Sequence, residues 1–384
     1  MSWPTVSLGS IVVLDRDGAE PSALPLETRY VGLEHIESDG TLNSVSTIGT
    51  AELKSTKFRF DREHILYGKL RPYLRKIARP DFRGVCSTDI IPIRLTAAID
   101  RGYLFHFLRS PEMVALANSR CTGANLPRLN PSQLEAFEIP LPPFPEQHRI
   151  AAILDAADVL RAKRRESIEQ LDSLIQATFL EMFGDPVTNP KGWGTHALGD
   201  LGEWRTGGTP SRNHPDYFAG DVPWFSSGEL NSIYVAANSK ERITESAVRE
   251  SAAKWIPVGS LMLGMYDTAA LKASITSAEC TCNQAIAFSS LHAHLTLPLY
   301  VYSSITVGRE HFRRLQRGVR QKNLNLAMIR AITIPSPPLA LQDRFASIVE
   351  SIEQQKIRLK AHLAELDALF SSLQSRAFNG ELVA

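Results

Sequence analysis

The chain is written twice, and no other feature limits its fold as strongly. From Gly123 it reads GANLPRLNPSQLEAFEIPLPPFPEQHRI, and from Gly318 it reads GVRQKNLNLAMIRAITIPSPPLALQDRF. A constant offset of 195 residues carries Asn130 onto Asn325, Leu134 onto Ile329, Ile139-Pro140 onto Ile334-Pro335, Pro142-Pro143 onto Pro337-Pro338 and Gln147 onto Gln342. The same offset continues without a gap, placing Leu171-Asp172 on Leu366-Asp367 and Phe183 on Phe378. Upstream the match is looser. Residues 3–9 (WPTVSLG) resemble residues 193–199 (WGTHALG), and the segment from Leu66 to Lys69 has a counterpart near Leu263 to Met265. Solenoid repeats run about 20 to 50 residues, so halves this long point instead to a duplicated two-part module with a variable front and a regular back.

The backs read as helices. In the second, Phe345, Ile352, Leu359, Leu366 and Leu373 lie seven apart, with Val349, Lys356, Leu363, Phe370 and Ala377 four positions further on. The first has Ile150, Ala157, Arg164, Leu171 and Thr178, with Leu154, Arg161, Ile168, Ile175 and Met182. A heptad with this alternation places both sets on one coiled-coil seam. Neither Gly nor Pro interrupts residues 150–183 or 345–378, so each helix should reach about 50 Å at 1.5 Å per residue. Pro142, Pro143 and Pro145 before one helix and Pro335, Pro337 and Pro338 before the other predict stiff extended lead-ins. Gly184-Asp185-Pro186 and Asn379-Gly380 predict the ends. The two seams can hide against each other in antiparallel fashion, or each can recruit a partner subunit.

The fronts carry short β-rich runs at residues 11–14, 89–95, 258–263 and 285–288, with a helical stretch over residues 102–119, which reads as an α+β module. With 384 residues, 43% hydrophobic and 22% charged, the chain has the composition of a globular protein of two or three domains. It shows no long apolar run and no signal-peptide pattern, so a soluble, cytoplasmic protein is expected. Four cysteines are too few and too irregular for a disulfide framework. Cys280-Thr-Cys282 could be half of a metal site, but no partner lies at zinc spacing, and ordinary buried thiols account for it. Phosphate-loop, HExxH and GxSxG motifs are missing, and Gly207 to Pro210 (GGTP) reads as a turn.

Forty-two basic against 41 acidic side chains leave a net charge of +1, so the position of the charges matters more than their sum. Lys69, Arg71, Tyr73, Arg75 and Lys76 crowd one segment of the first front; Arg309, Arg313, Arg314, Arg317, Arg320 and Lys322 crowd another in the second. Such clusters neutralise phosphates, and arginine also reads guanine in the major groove. A solvated charged face is the plain alternative. Two modules held apart by rigid helices, with the seam as a ruler, suit a long regular ligand such as duplex DNA. A scaffold for two copies of a protein partner would explain the repeat too, without using the cations. A stand-alone DNA-acting enzyme is a third alternative.

The block LN-x-x-x-(L/I)-x-x-(F/I)-x-IPLPP-x-x-x-Q, intact from Leu129 to Gln147 and drifted from Leu324 to Gln342, resembles the specificity subunits of type I restriction-modification enzymes, as do W-x-x-x-x-LG at Trp3 and Trp193 and the helix end Phe183-Gly184-Asp185. Ser336 in place of Leu141 and Leu341 in place of Glu146 depart from the pattern. The resemblance implies an α+β fold with two pseudo-repeated target recognition domains, 1–145 and 190–340. These would be joined by a central helix, 146–185, and a distal helix, 341–380, forming an antiparallel coiled coil. It implies a non-catalytic subunit that recognises a bipartite asymmetric DNA site. Two methyltransferase subunits and two restriction/translocase subunits would assemble on it, with S-adenosylmethionine, ATP and magnesium belonging to those partners and no cofactor or metal bound by this chain. Arg161 to Arg165 would face either the helical mate or a methyltransferase subunit. The seam residues implied are Ile150, Leu154, Ile168, Leu171 and Ile175 with Phe345, Val349, Ile352, Leu359, Leu363, Leu366, Phe370 and Leu373.

Overall fold

The structure is a computed structural model describing residues 3–123, 125–315 and 323–382. The chain divides into two compact units, Met1–Glu166 with Lys360–Ala384, and Ser167–Leu359. A central helix, Phe144–Phe183, and a distal helix, Leu339–Phe378, each contribute to both units. Each is 40 residues long, about 60 Å at 1.5 Å per residue.

Both helices begin six residues before the runs that start at 150 and 345. Pro145 lies inside the first turn of the central helix rather than before it. Its missing N–H is one that a first turn leaves unpaired anyway. At the other end, Gly184 adopts φ +80° and its N–H donates to Leu180 O (2.9 Å), so the left-handed glycine stops the helix as expected.

In unit 1, strand β1 (Thr5–Ser7) runs antiparallel to the strand that follows the repeated loop, Glu138–Pro140, with Val6 opposite Ile139. A four-stranded sheet holds β2 (Val12–Leu14), β3 (Ile65–Gly68), β4 (Ile77–Ala78) and β5 (Ile90–Leu95) in the order β2-β5-β3-β4. Ile65, Tyr67, Ile91 and Ile93 turn into a core shared with helix α1 (Arg101–Leu108). The expected helix over residues 102–119 is two, because Pro111 opens α2 (Pro111–Ser119) with Ser110 as its N-cap. A second, five-stranded sheet joins Gly18–Ala19, Lys57–Phe60, Gly84–Cys86, Arg29–Val31 and Ser46–Thr47.

Unit 2 repeats the scheme. Thr195–Ala197 pairs with Thr333–Pro335, placing His196 opposite Ile334. Its five-stranded sheet orders Gly202–Thr206, Ile286–Leu291, Leu261–Gly264, Ala273–Thr276 and Tyr234–Val235. Gly264 faces Ile286 there as Gly68 faces Ile90 in unit 1. This register sets Gly68 against Gly264, so Leu66 corresponds to Met262, one residue from the alignment read off the sequence.

Within each unit the two long helices lie antiparallel. Unit 1 pairs the start of the central helix with the end of the distal one through Arg161 and Asp367, and unit 2 pairs the opposite ends through Asp172 and Lys356. Of the seam positions, Ile150, Leu154, Ile175, Phe345, Val349, Ile352 and Phe370 are buried, while Ile168, Leu171, Leu359, Leu363, Leu366 and Leu373 are half-buried.

Candidate nucleic-acid interface

A buried glutamine explains why the proline loop is repeated. Gln147 accepts from the N–H of Asp100 (2.8 Å), the N-cap of α1, and donates to Pro142 O (2.9 Å) and Ala98 O (3.1 Å). Gln342 accepts from the N–H of Leu297 (2.9 Å), the N-cap of the helix Pro298–Val307, and donates to Pro337 O (2.9 Å). A tyrosine completes each clamp: Tyr103 donates to Pro140 O (2.8 Å), and Tyr300 to Pro335 O (2.9 Å). One amide side chain thus ties the coil, the proline loop and a helix of the front together in each unit. The tyrosines went unnoticed in the sequence because they repeat at 197 residues, not 195, and a fixed-offset comparison steps past them.

The two seam cations are also a repeated device. Arg161 binds Asp158 on its own helix (2.5 Å) and Asp367 on the other (2.6 Å), and Arg165 reaches the same Asp367 at 3.3 Å. Lys356 binds Glu353 on its own helix and Asp172 on the other, both at 2.6 Å. Burial pushes the Lys356 ammonium down, but the bonds to Asp172 and Glu353 outweigh it and hold its pKa above the usual value. Of the open readings for Arg161 and Arg165, contact with the helical mate is the one the geometry contains.

At the joint of unit 1, a charged network adds to the clamp. Asp155 accepts from Arg79 (2.6 and 3.1 Å) and from buried His106 (2.7 Å), and Arg109 reaches Asp158 (3.3 Å). Burial would raise the Asp155 carboxyl, yet bonding to His106 and Arg79 holds it well below the usual carboxylate range. Burial pushes the His106 imidazole down against the pull of Asp155 and Asp158. No sequence motif announced these residues, since they come from three separated segments.

The basic segment of the first front forms the turn between β3 and β4. Its backbone is pinned at every side: Gly68 N to Lys76 O (2.8 Å), Arg71 N to Pro127 O (2.8 Å), Leu74 N to Arg71 O and Arg75 N to Pro72 O (both 2.9 Å). Arg71 and Arg75 are exposed and adopt φ 51° and 52°, a left-handed conformation that costs a non-glycine residue about 1 to 2 kcal/mol. Tyr73 is exposed and Lys69 half-buried, while the Lys76 ammonium is spent on Ile36 O. Unit 2 builds the same turn at residues 265–272, with Asp267 and Leu271 left-handed at φ 47° and 58° and Gly264 N on Lys272 O (2.8 Å). In both units the turn meets the segment leading to the repeated loop, through the bridges Leu70–Arg128 and Tyr266–Asn323.

The second basic cluster therefore occupies a different place in its module. Arg309 donates to Thr268 O (2.7 Å) and Ala270 O (3.0 Å), bracing the turn, and Arg313 pairs with Glu310 (3.2 Å). Arg314 is exposed; Arg317, Arg320 and Lys322 lie outside the described residues. Gly207 and Gly208 do not form a phosphate cradle, because their N–H groups donate to Ile286 O and Cys282 O. Cys280 and Cys282 are buried free thiols, both pushed up by burial. Among the described residues no group of three or more His, Cys, Asp or Glu could hold a metal ion, and no helix is long and apolar enough to cross a membrane.

The family model of the type I restriction modification DNA specificity domain matches residues 2–170 and again residues 190–366. The chain belongs to that family. Over 166 residues, 42% of this chain and 37% of the relative, it is 30% identical to the type I restriction enzyme EcoDI specificity subunit of Escherichia coli. The match thus spans little more than a third of that relative's length. Among solved structures, a chain from a study of complex assembly and conformational transition of the type I R-M system superimposes with a TM-score of 0.60 at 21% identity, covering 99% of this chain and 98% of that one. The type I restriction-modification system S subunit from M. genitalium gives 0.59 at 15% identity, with coverage of 98% and 96%. At these identities the likeness establishes the fold, and the two family matches coincide with the duplication.

Proposed function

We propose that this specificity-family chain recognises a bipartite, asymmetric duplex DNA sequence, one half-site per front, and carries no catalysis of its own. The observation that carries this reading is that one pinned turn is built twice on one clamped joint while its tip differs, Arg-Pro-Tyr-Leu-Arg at residues 71–75 against Asp-Thr-Ala-Ala-Leu at 267–271. A constant scaffold with divergent tips suits two independent readers. In this reading the recognition domains are residues 1–145 and 190–340, and helices 146–185 and 341–380 hold them. The chain would act in the cytoplasm. Lys69, Arg71, Tyr73 and Arg75 supply DNA contacts in the first domain, and Arg313, Arg314, Arg317, Arg320 and Lys322 in the second. Two methyltransferase and two restriction/translocase subunits assemble on the chain and bring S-adenosylmethionine, ATP and magnesium.

Replacing residues 1–145 with the matching domain of another family member, followed by mapping of methylated sites in a host carrying the partner subunits, tests this. One half-site should change and the other persist. A change in both, or in neither, rejects independent reading.

A further inference from the structure

Two large apolar side chains remain partly exposed at the tip of the first turn, which rests on α2: Tyr73 is 49% and Leu74 40% exposed. Leu126, on the adjoining segment, is 47% exposed. Arg71 and Arg75, both exposed, flank the pair, and Pro72 between them is buried, so the tip is anchored rather than free to fold back. Nearby acids are largely engaged. Asp89 pairs with Arg128 (3.2 Å), Asp39 accepts from Thr41 N (2.9 Å), and Glu37 and Asp39 share with Arg75 the rim of a cavity of about 300 Å³. The corresponding tip of unit 2 has Ala269, half-buried, and Ala270, buried, in place of Tyr73 and Leu74. Its aromatic, Tyr266, lies before the tip, at the bridge to Asn323.

Exposed apolar bulk on a rigid turn has no use in water, but between two arginines it has one on DNA. Cations straddling the tip neutralise phosphates on either side, while an apolar wedge pressed into a base step replaces base stacking with side-chain stacking. The geometry points to Tyr73 and Leu74 as a wedge that unstacks one base step in the half-site read by the first front, with no equivalent wedge at the turn of the second front. This rests on the proposed DNA recognition. The two left-handed arginines fit the role, because backbone strain held by surrounding hydrogen bonds fixes the tip before DNA arrives, so little ordering remains to be done on binding.

The test uses the full-length chain with its methyltransferase partner and a duplex carrying the motif that this complex selects from a random pool, with 2-aminopurine placed in either half-site. Fluorescence should rise several-fold at one step of the first half-site through Tyr73 and Leu74, and any rise from a base extruded by the methyltransferase, in either half-site, should not depend on these two side chains. The double variant Tyr73→Ala, Leu74→Ala should abolish the rise and weaken cognate binding roughly tenfold to a hundredfold, whereas Tyr73→Phe should keep both. Both side chains are exposed, and circular dichroism verifies that the variants fold. A double variant that keeps every fluorescence rise together with tight cognate binding overturns the wedge, as does a binding loss reproduced by replacing thymine with deoxyuridine, which would mean contact with a methyl edge. Failure of the wild-type complex to select any sequence would instead overturn the DNA recognition beneath it.

Discussion

At the joint of unit 1, His106, Gln374 and Asp155 stand where unit 2 has Ser303, Phe179 and Glu350. Gln374 donates to His106 O (2.9 Å), and His106 reaches Asp155, so this joint is polar and charged. In unit 2, Phe179, Phe183, Tyr300 and Phe345 pack ring on ring, with centroids 4.9 to 5.7 Å apart. The clamp of Gln and Tyr recurs in both, with Gln147 also donating to Ala98 O and Gln342 also accepting from Thr296. One backbone problem, seating a helix of the front against a two-helix coil, is met in both units by a tyrosine packed on a long-helix phenylalanine, Tyr103 on Phe378 (centroids 5.4 Å apart) and Tyr300 on Phe183 (4.9 Å), with ion pairing added in unit 1 and further rings added in unit 2. The first addition depends on protonation and the second on volume.

The largest difference should come from volume. Phe179→Ala should cost about 3 to 5 kcal/mol, the usual penalty for emptying a buried aromatic site, while Gln374→Ala, which leaves His106 O unpaired, should cost about 1 to 3 kcal/mol. Denaturant titration compares them; equal costs would break the contrast between the joints. The shared part gives the next effect. Gln147→Ala and Gln342→Ala should each cost about 1 to 3 kcal/mol by stranding buried carbonyl and N–H groups, and the two values should agree closely. A large inequality would mean that the clamps are not equivalent.

The smallest effect is a pH response confined to unit 1. Folded His106 holds its proton less tightly than an unfolded histidine of pKa about 6.5. As pH falls through that value the unfolded chain gains a proton that the folded one resists, so stability drops. The protection of amides in Arg101–Leu108, corrected for the intrinsic slowing of exchange with falling pH, should decrease between pH 7 and about 5, while that of Pro298–Val307, with Ser303 in the corresponding place, should not. His106→Ser should remove the response, and a response that survives it would assign the effect elsewhere.

The seam shows what kind of information a sequence exposes. Heptads ending in Phe345, Val349 and Ile352 at one end and Ile150 and Leu154 at the other announced buried helix faces, because apolar periodicity is local. Lys356 and Arg161 looked like interruptions of the same pattern. Their partners, Asp172 and Asp367, sit 184 and 206 residues away, so only the fold shows that each cation locks the two helices antiparallel.

The candidate interface divides along the same line. Duplication, two long helices, the α+β fronts and the clustering of cations all follow from residues near one another in the chain, and a repeat at constant offset is visible without coordinates. That Arg309 braces a turn, that Lys76 is consumed by Ile36 O, and that Tyr73 and Leu74 stand partly exposed between two left-handed arginines were decided by tertiary structure. Charge and hydrophobicity are properties of a residue, whereas exposure and partnership depend on what distant segments bring alongside it.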